Sequence, residues 1–179
     1  MKATGIVRRI DDLGRVVIPK EIRRTMRIRE GDPLEIFTGK EGEVVFKKYS
    51  PMESLADYAG EYVAAVHTVT GFACAVCDRD RVVAYAGAGK REALEREISA
   101  RCEELMAARR PINSDSEASG FSLLKDQDQI RVQSAYPILA GGDIAGMICL
   151  IAQPDKRPSV SEERQLYTGA LFLGKQLEG

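Results

Sequence analysis

Residues 5–19 of this chain read GIVRRIDDLGRVVIP, two short runs of branched residues separated by a glycine-containing turn. Residues 5–10 and 16–18 predict strands, because Val and Ile favour extended backbone. Residues 11–15 predict the turn between them, in which Gly14 allows a positive φ. The stretch therefore predicts that the chain opens with a β-hairpin.

A helix and a second hairpin follow within the first fifty residues. Pro19 opens a helix that runs to about Met26, and residues 34–37 and 44–46 predict strands around the turn at 39–42. Four short strands and one helix bury little apolar surface, and domains this small often need another chain. We therefore expect residues 1–50 to form an all-β domain with one short helix, completed as an intertwined dimer.

Residues 51–179 follow a different pattern, and we place the domain boundary at Ser50. Ser50 and Glu53 predict a capping box at a helix start, with Pro51 in its first position. Ser159 and Glu162 predict a second capping box, at the start of the last helix. The remaining assignments are helices from 55 to 71 and from 90 to 109, a polar loop at 113–120, and strands near 72–78, 81–86, 121–124, 130–139 and 144–152. This order predicts an α+β domain with an antiparallel sheet and flanking helices.

Charge is divided unequally between the two domains. Residues 1–50 carry 12 Lys and Arg against 8 Asp and Glu, a net charge of +4, whereas residues 51–179 carry 14 against 19, a net charge of −5. A basic domain joined to an acidic one suggests two modules with different tasks, the basic one facing a polyanion.

A row of cations follows the short helix of the first domain. Its members are spaced i, i+3, i+4 and i+7, and they are Lys20, Arg23, Arg24 and Arg27. Ile22 and Met26 form the opposite stripe, and Arg8 and Arg15 come from the preceding hairpin. Guanidinium groups bind phosphates bidentately and also read guanine edges. A solvated helix face is the alternative interpretation, but Glu21 is the only acid in residues 13–29, so the arginines lack local partners.

These motifs resemble the AbrB family of bacterial transition-state regulators. The resemblance lies in residues 4–8, 12–19 and 21–24. It extends to residues 34–36 and 47–49. It implies a swapped-hairpin dimer that binds double-stranded DNA through residues matching Arg8, Arg15, Arg23 and Arg24. The second domain resembles a GAF domain in the order of its elements. The combination implies a homotetrameric, nucleoid-associated regulator of forespore genes that both activates and represses, with an antitoxin of the MazE type as the rival interpretation.

A small-molecule ligand of the second domain stays open. The candidate wall residues are Phe72, Val76, Tyr85, Phe121, Tyr136 and Ile138, for which core packing is the favoured interpretation. Residues 87–91 precede a helix, where a plain turn is favoured over an anion site. The helical stripes at 55–66 and 166–177 are candidates for self-association between chains.

The sequence predicts no enzyme, metal site or bound cofactor. Cys74 and Cys77 form a CxxC motif inside an apolar run, so we expect buried thiols on opposite faces of a strand. His67 is the only histidine, and no spacing marks a catalytic group. No apolar run is long enough for a membrane span, and the first residues do not resemble a signal peptide. We therefore expect a cytoplasmic protein.

Overall fold

A computed structural model of the chain describes residues 5–116 and 120–178. The chain divides into two compact units, Met1–Tyr49 and Ser50–Gly179, which we call the N-terminal unit and the C-terminal unit. Among the described residues, no helix is long and apolar enough to cross a membrane.

The N-terminal unit contains the predicted helix and the second hairpin. Helix α1 spans Lys20–Thr25 and follows Pro19, whose fixed φ suits a helix start. Strands β1, Leu34–Thr38, and β2, Val44–Lys48, pair antiparallel, with Ile36 opposite Phe46. Both predictions are confirmed.

The first hairpin forms its turn but not its strands. The Gly14 amide donates to the Asp11 carbonyl at 3.0 Å, the Asp11 amide donates to the Arg15 carbonyl at 3.1 Å, and Gly14 has a φ of 76°. Residues 5–10 and 16–18 have no strand structure in the single chain, so these two strand predictions are wrong for it. A strand exists only where a second strand accepts its ladder of hydrogen bonds.

The C-terminal unit has the predicted α+β architecture. It begins with α2, Pro51–Ser54, and α3, Ala56–Thr70, and ends with α6, Val160–Glu178. Between them lie β3 (Cys74–Cys77), β4 (Val82–Ala86), α4 (Lys90–Ala93), α5 (Ala100–Ala108), β5 (Phe121–Leu124), β6 (Gln127–Ala140) and β7 (Asp143–Ile151). The strands form one antiparallel sheet in the order β4-β3-β7-β6-β5.

Helices cover both faces of this sheet. On one face Met52 of α2, Val63 of α3 and Leu166 of α6 are fully buried. On the other face Ala93 of α4 and Cys102 of α5 are fully buried. The apolar residues alternate along the strands, so each face of the sheet has its own core.

The predicted helix over 90–109 is wrong. Two helices, α4 and α5, occupy this stretch, and Glu95 between them has a φ of 64°. Ile98 pairs with Leu124 in an isolated β-bridge instead of facing a helix neighbour. Ser99 is the true start of α5, because its side chain accepts a hydrogen bond from the Cys102 amide.

The two predicted capping boxes have different outcomes. At Ser159 the box is confirmed: the Ser159 amide donates to Glu162 Oε2 at 2.7 Å, and the Glu162 amide donates to Ser159 Oγ at 3.4 Å. At Ser50 it is wrong, because the Ser50 hydroxyl donates to the buried Asp78 carboxylate at 2.9 Å and makes no cap.

Several apolar residues of the predicted helical stripes at 55–66 and 166–177 face solvent in α3 and α6, the outer helices of the C-terminal unit. In α3 Tyr58 is exposed, although the helix ends at Gly71 as predicted. In α6 Tyr167 and Leu171 are exposed, and Leu173 takes the buried position instead. The predicted polar loop at 113–120 lies partly outside the described residues.

Candidate nucleic-acid interface

Helix α1 presents three cations to solvent. The Arg23 amide donates to the Pro19 carbonyl at 3.0 Å, so the helix starts directly after proline. Lys20, Arg23 and Arg24 are exposed, and their side chains make no ion pair with another described residue. Three cations without local counterions form a surface that a polyanion would neutralise.

Arg8 and Arg15 extend the basic surface on the first hairpin. Arg8 is exposed and its side chain likewise pairs with no described residue. Arg15 has 70% of its side chain exposed, although its Nε donates to Asp11 Oδ2 at 2.7 Å. This bond holds the guanidinium stem beside the turn while most of the group stays accessible.

Arg27 departs from the predicted row. Helix α1 ends at Thr25, and Arg27 lies beyond it with a φ of 52° and a half-buried side chain. Its carbonyl accepts a hydrogen bond from Lys48 Nζ at 2.9 Å. The i+7 spacing assumed one continuous helix, and the left-handed residue breaks that geometry.

The N-terminal unit lacks a core of its own. Among residues 5–49, Pro19 alone is buried. The large apolar side chains left exposed in this unit are Ile6, Val7, Ile10, Leu13, Val16, Val17, Met26, Ile36, Phe37, Val44, Val45, Phe46 and Tyr49. A stable soluble domain does not leave so much of its apolar surface in water.

The candidate wall residues of the C-terminal unit do not enclose one cavity. Phe72, Val76 and Ile138 pack on the face of the sheet that α3 and α6 cover. Tyr85 and Phe121 pack on the opposite face. Of the six candidates, Tyr85 lines a cavity of ligand size, together with polar residues that include His67 and Glu92. Sequence reasoning missed this cavity, because its walls come from separate segments that share no motif.

The cysteines are buried and free, and the predicted placement of Cys74 and Cys77 on opposite faces is confirmed. Burial raises the pKa of the Cys102 thiol to about 12. A side-chain hydrogen bond with Cys149, and next burial, raise the pKa of the Cys77 thiol. Burial raises the pKa of the Cys74 thiol. Because the thiolate is the reactive form, these thiols are inert at neutral pH. The described residues contain no cluster of three metal-ligating side chains.

Two family models match the chain. The model described as stage V sporulation protein T C-terminal, transcription factor, matches residues 54–178. The model described as antidote-toxin recognition MazE, bacterial antitoxin, matches residues 7–54. The two matches together span nearly the whole chain.

The chain is also similar to individual proteins. Stage V sporulation protein T of Bacillus subtilis (strain 168) is 46% identical over 179 residues, which is 99% of each chain. Transition state regulatory protein AbrB of the same strain is 59% identical over 51 residues, covering 28% of this chain and 52% of that protein. A GAF domain of an Acinetobacter phosphoenolpyruvate-protein phosphotransferase covers 73% of this chain and 84% of its own, with a TM-score of 0.56 and 14% identity. The N-terminal unit is therefore AbrB-like, and the C-terminal unit has a GAF-like fold.

Proposed function

The chain belongs to the stage V sporulation protein T family of transcription factors, and from that premise we propose that it regulates sporulation genes by binding double-stranded DNA. The observation that carries the proposal is the row formed by Lys20, Arg23 and Arg24, which is exposed and unneutralised by described residues. The family model that matches residues 54–178 is described as a transcription factor, and a relative of the same family is 46% identical over the full chain.

Individual cations have different roles at the DNA. Arg23 and Arg24 contact phosphates and base edges, since a guanidinium group suits both. Arg8, Arg15 and Lys20 contact phosphates and set the register on the duplex. Arg27 contributes less, because it is half-buried beyond the end of α1.

A second chain completes the N-terminal unit. Residues 5–10 and 16–18 pair with the same segments of the partner, and the exposed apolar side chains of both hairpins become a shared core. The intertwined dimer presents each arginine twice, which doubles the number of phosphates neutralised.

The C-terminal units join two such dimers into a tetramer. The outer helices leave Tyr58, Tyr167, Leu171 and Phe172 exposed, an apolar surface that a second copy covers. Several DNA-binding faces in one particle raise the overall affinity for long DNA through effective concentration.

The family suggests the biological role that we propose for this chain. The protein activates some forespore genes and represses others, and it acts in the cytoplasm at the nucleoid. The GAF-like unit senses a small molecule and changes the geometry of the assembly, which alters the fit of paired DNA-binding faces to their sites.

DNA affinity measured across a salt series tests the proposal. A duplex selected from a random library by the full-length protein serves as the probe in fluorescence anisotropy. We expect Arg23→Ala and Arg24→Ala each to weaken binding by about 1–3 kcal/mol where a base edge is read. The slope of log affinity against log salt becomes shallower by about one for each phosphate that the variant no longer neutralises.

Arg157→Ala is the matched control, because Arg157 is an exposed arginine of the C-terminal unit. It should leave affinity and salt slope unchanged, and circular dichroism should show all variants folded. Wild-type affinity and slope in both α1 variants would contradict the proposal.

An antitoxin is the second candidate, since the MazE family model matches residues 7–54. An antitoxin of this type wraps its toxin with a flexible tail, whereas Ser50–Gly179 of this chain forms a compact unit. Affinity purification of the protein from its native host distinguishes the antitoxin from the regulator. A stoichiometric small toxin that co-purifies would favour the antitoxin, and its absence favours the regulator.

A further inference from the structure

A cavity of about 440 Å³ opens at one end of the sheet in the C-terminal unit. It lies where β3 and β6 begin and where β4 and β7 end, and its floor is formed by Tyr85, Ile130 and Ile151. All three side chains are buried and apolar over most of their surface. The volume falls in the range of roughly 300–1,000 Å³ that is typical of small-molecule sites.

The segment between β4 and α4 passes close to the residues that line the cavity. The Tyr85 hydroxyl donates to the Ala88 carbonyl at 2.8 Å. A Cβ at Gly89 would lie 3.2 Å from both the Tyr85 hydroxyl oxygen and Ile130 Cδ1, and Gly89 has a φ of 90°. At Gly87 a Cβ would lie 2.7 Å from that of Ala73. Only glycine lets this segment pass so close to the floor.

Hydrogen-bond acceptors line the rim of the cavity. His67 Nδ1 lies 2.8 Å from the Phe72 carbonyl oxygen, which can only accept, so Nδ1 carries a proton and, in the neutral form of the ring, Nε2 is an acceptor. The Gln153 amide nitrogen donates to the Gly71 carbonyl at 2.8 Å, which leaves the amide oxygen as an acceptor. Glu92 adds an exposed carboxylate.

No cation balances this carboxylate within the cavity. None of the lining residues that the structure describes is Lys or Arg. Lys156 lies near Gly71, but its ammonium group donates to the Thr70 carbonyl, lies 3.5 Å from Glu162 Oε1 and stacks 4.1 Å from the centre of the Phe72 ring. Lys156 is therefore already engaged outside the cavity.

We propose that this cavity binds a small amphiphilic cation, a protonated amine attached to an apolar body. The ammonium group donates to Glu92, His67 Nε2 and the Gln153 oxygen, and the apolar body lies on the floor beside Tyr85. A bare metal ion does not suit the site, because the described lining residues include a single carboxylate beside largely apolar side chains. The inference rests on the proposed sensing role of the C-terminal unit and names the class of molecule sensed.

Comparing two probes of similar size and opposite charge on the full-length protein tests the assignment. 2-Phenylethylamine and 3-phenylpropanoate share the phenyl group and differ in the charged end. NMR titration should show saturable binding of the amine, with shifts at Tyr85, Ile130 and Ala152, and affinity about tenfold above that of the acid.

Glu92→Gln should reduce the affinity for the amine about fivefold, since the charge pair is partly exposed, and leave that for the acid unchanged or higher. Glu61→Gln, an exposed neutralisation on α3 away from the cavity, is the control and should change neither. Equal binding of acid and amine, no saturable amine binding, or an unaffected Glu92→Gln variant would overturn the assignment.

The titration is run without DNA, and the DNA affinity of the same preparation is measured separately. If the amine does not bind and DNA binding is intact, the proposed ligand class is wrong and the proposed DNA-binding function stands. Failure of DNA binding with intact amine binding rejects the proposed regulator and leaves the cavity assignment standing.

Discussion

Asp11 organises the turn that carries Arg15. Its Oδ1 accepts the amides of Leu13 and Arg15 at 3.0 and 2.7 Å, and its Oδ2 accepts Arg15 Nε at 2.7 Å. A carboxylate that accepts several hydrogen bonds is stabilised in its charged form. The backbone amide of Arg15, and next its guanidinium group, therefore lower the pKa of Asp11 below its ordinary value of 3.8.

This depressed pKa predicts how the turn responds to acid. The charged form is favoured in the folded state, so its stabilisation is fully present above the unfolded pKa and is lost as pH falls through the folded pKa. Carboxyl-carbon NMR of the full-length protein should show Asp11 titrating below pH 3.8. The Arg15→Met variant keeps the hydrogen bond from the backbone amide of residue 15 to Asp11. The pKa of Asp11 should therefore rise only part of the way toward its ordinary value. Titration of wild-type Asp11 at its ordinary value would contradict the assignment.

The residue types at the candidate site were predictable from the sequence, but their environments were not. Charge spacing identified Arg23 and Arg24, whose exposure the structure gives. Arg27 differs, because a helix end depends on one residue adopting positive φ, and spacing carries no signal for that. His67 and Glu92 of the cavity are far apart in sequence, so only the sheet topology brings them together.

At the level of elements, glycine sets how closely α6 approaches the sheet. A Cβ at Gly174 would lie 2.2 Å from the Leu139 carbonyl oxygen of β6. Gly60 in α3 is the matched case, because a Cβ there would meet nothing within 4 Å. Two helical glycines thus differ only in their surroundings.

Gly174→Ala should lower the free energy of unfolding by about 1–3 kcal/mol, because α6 must move away from a backbone atom that cannot yield. Gly60→Ala should be neutral or stabilise by up to about 1 kcal/mol, since alanine favours helix. Urea denaturation of the full-length variants measures both. Equal losses in the two variants would show that packing of α6 against β6 does not explain the glycine.

Elements with a strong local signal were predicted, and those decided by distant contacts were not. The strands of the C-terminal sheet and the helix after Ser159 follow from alternation and capping. The stretch 90–109 has helical spacing, but Ile98 is needed for pairing with Leu124, which breaks the helix. Ser50 carries the same capping pattern as Ser159 and bonds Asp78 instead. Tertiary contacts override local propensity in both places.

At the scale of the whole molecule, the two units differ in self-sufficiency. The C-terminal unit has a buried core on each face of its sheet. The N-terminal unit buries only Pro19 among residues 5–49.

Light scattering tests the assembly proposed for the two units. The intact protein should give the mass of four chains, and a fragment of residues 1–50 should give the mass of two. A folded but monomeric fragment would contradict completion by a partner.

Substitution of one exposed apolar residue should separate the two proposed interfaces. Leu171→Glu places a charge on the outer face of α6, where Leu171 is 52% exposed in the single chain. The charge should dissociate the proposed tetramer into dimers, because an unpaired charge cannot be buried in an interface without penalty. Sedimentation should show two chains per particle. A tetramer of unchanged stability would place the contact elsewhere.

Hydrogen exchange of the backbone amides in residues 5–10 and 16–18 tests most directly whether a second chain completes the N-terminal unit. If these segments pair between chains, their amides in the full-length protein should exchange on the order of a hundredfold or more slowly than in an unstructured peptide. The exposed turn at Lys40 and Glu41 serves as the internal reference for fast exchange. If the amides of residues 5–10 and 16–18 exchange as fast as those in that turn, a second chain does not complete the N-terminal unit. The dimer that presents each arginine twice would then also be wrong.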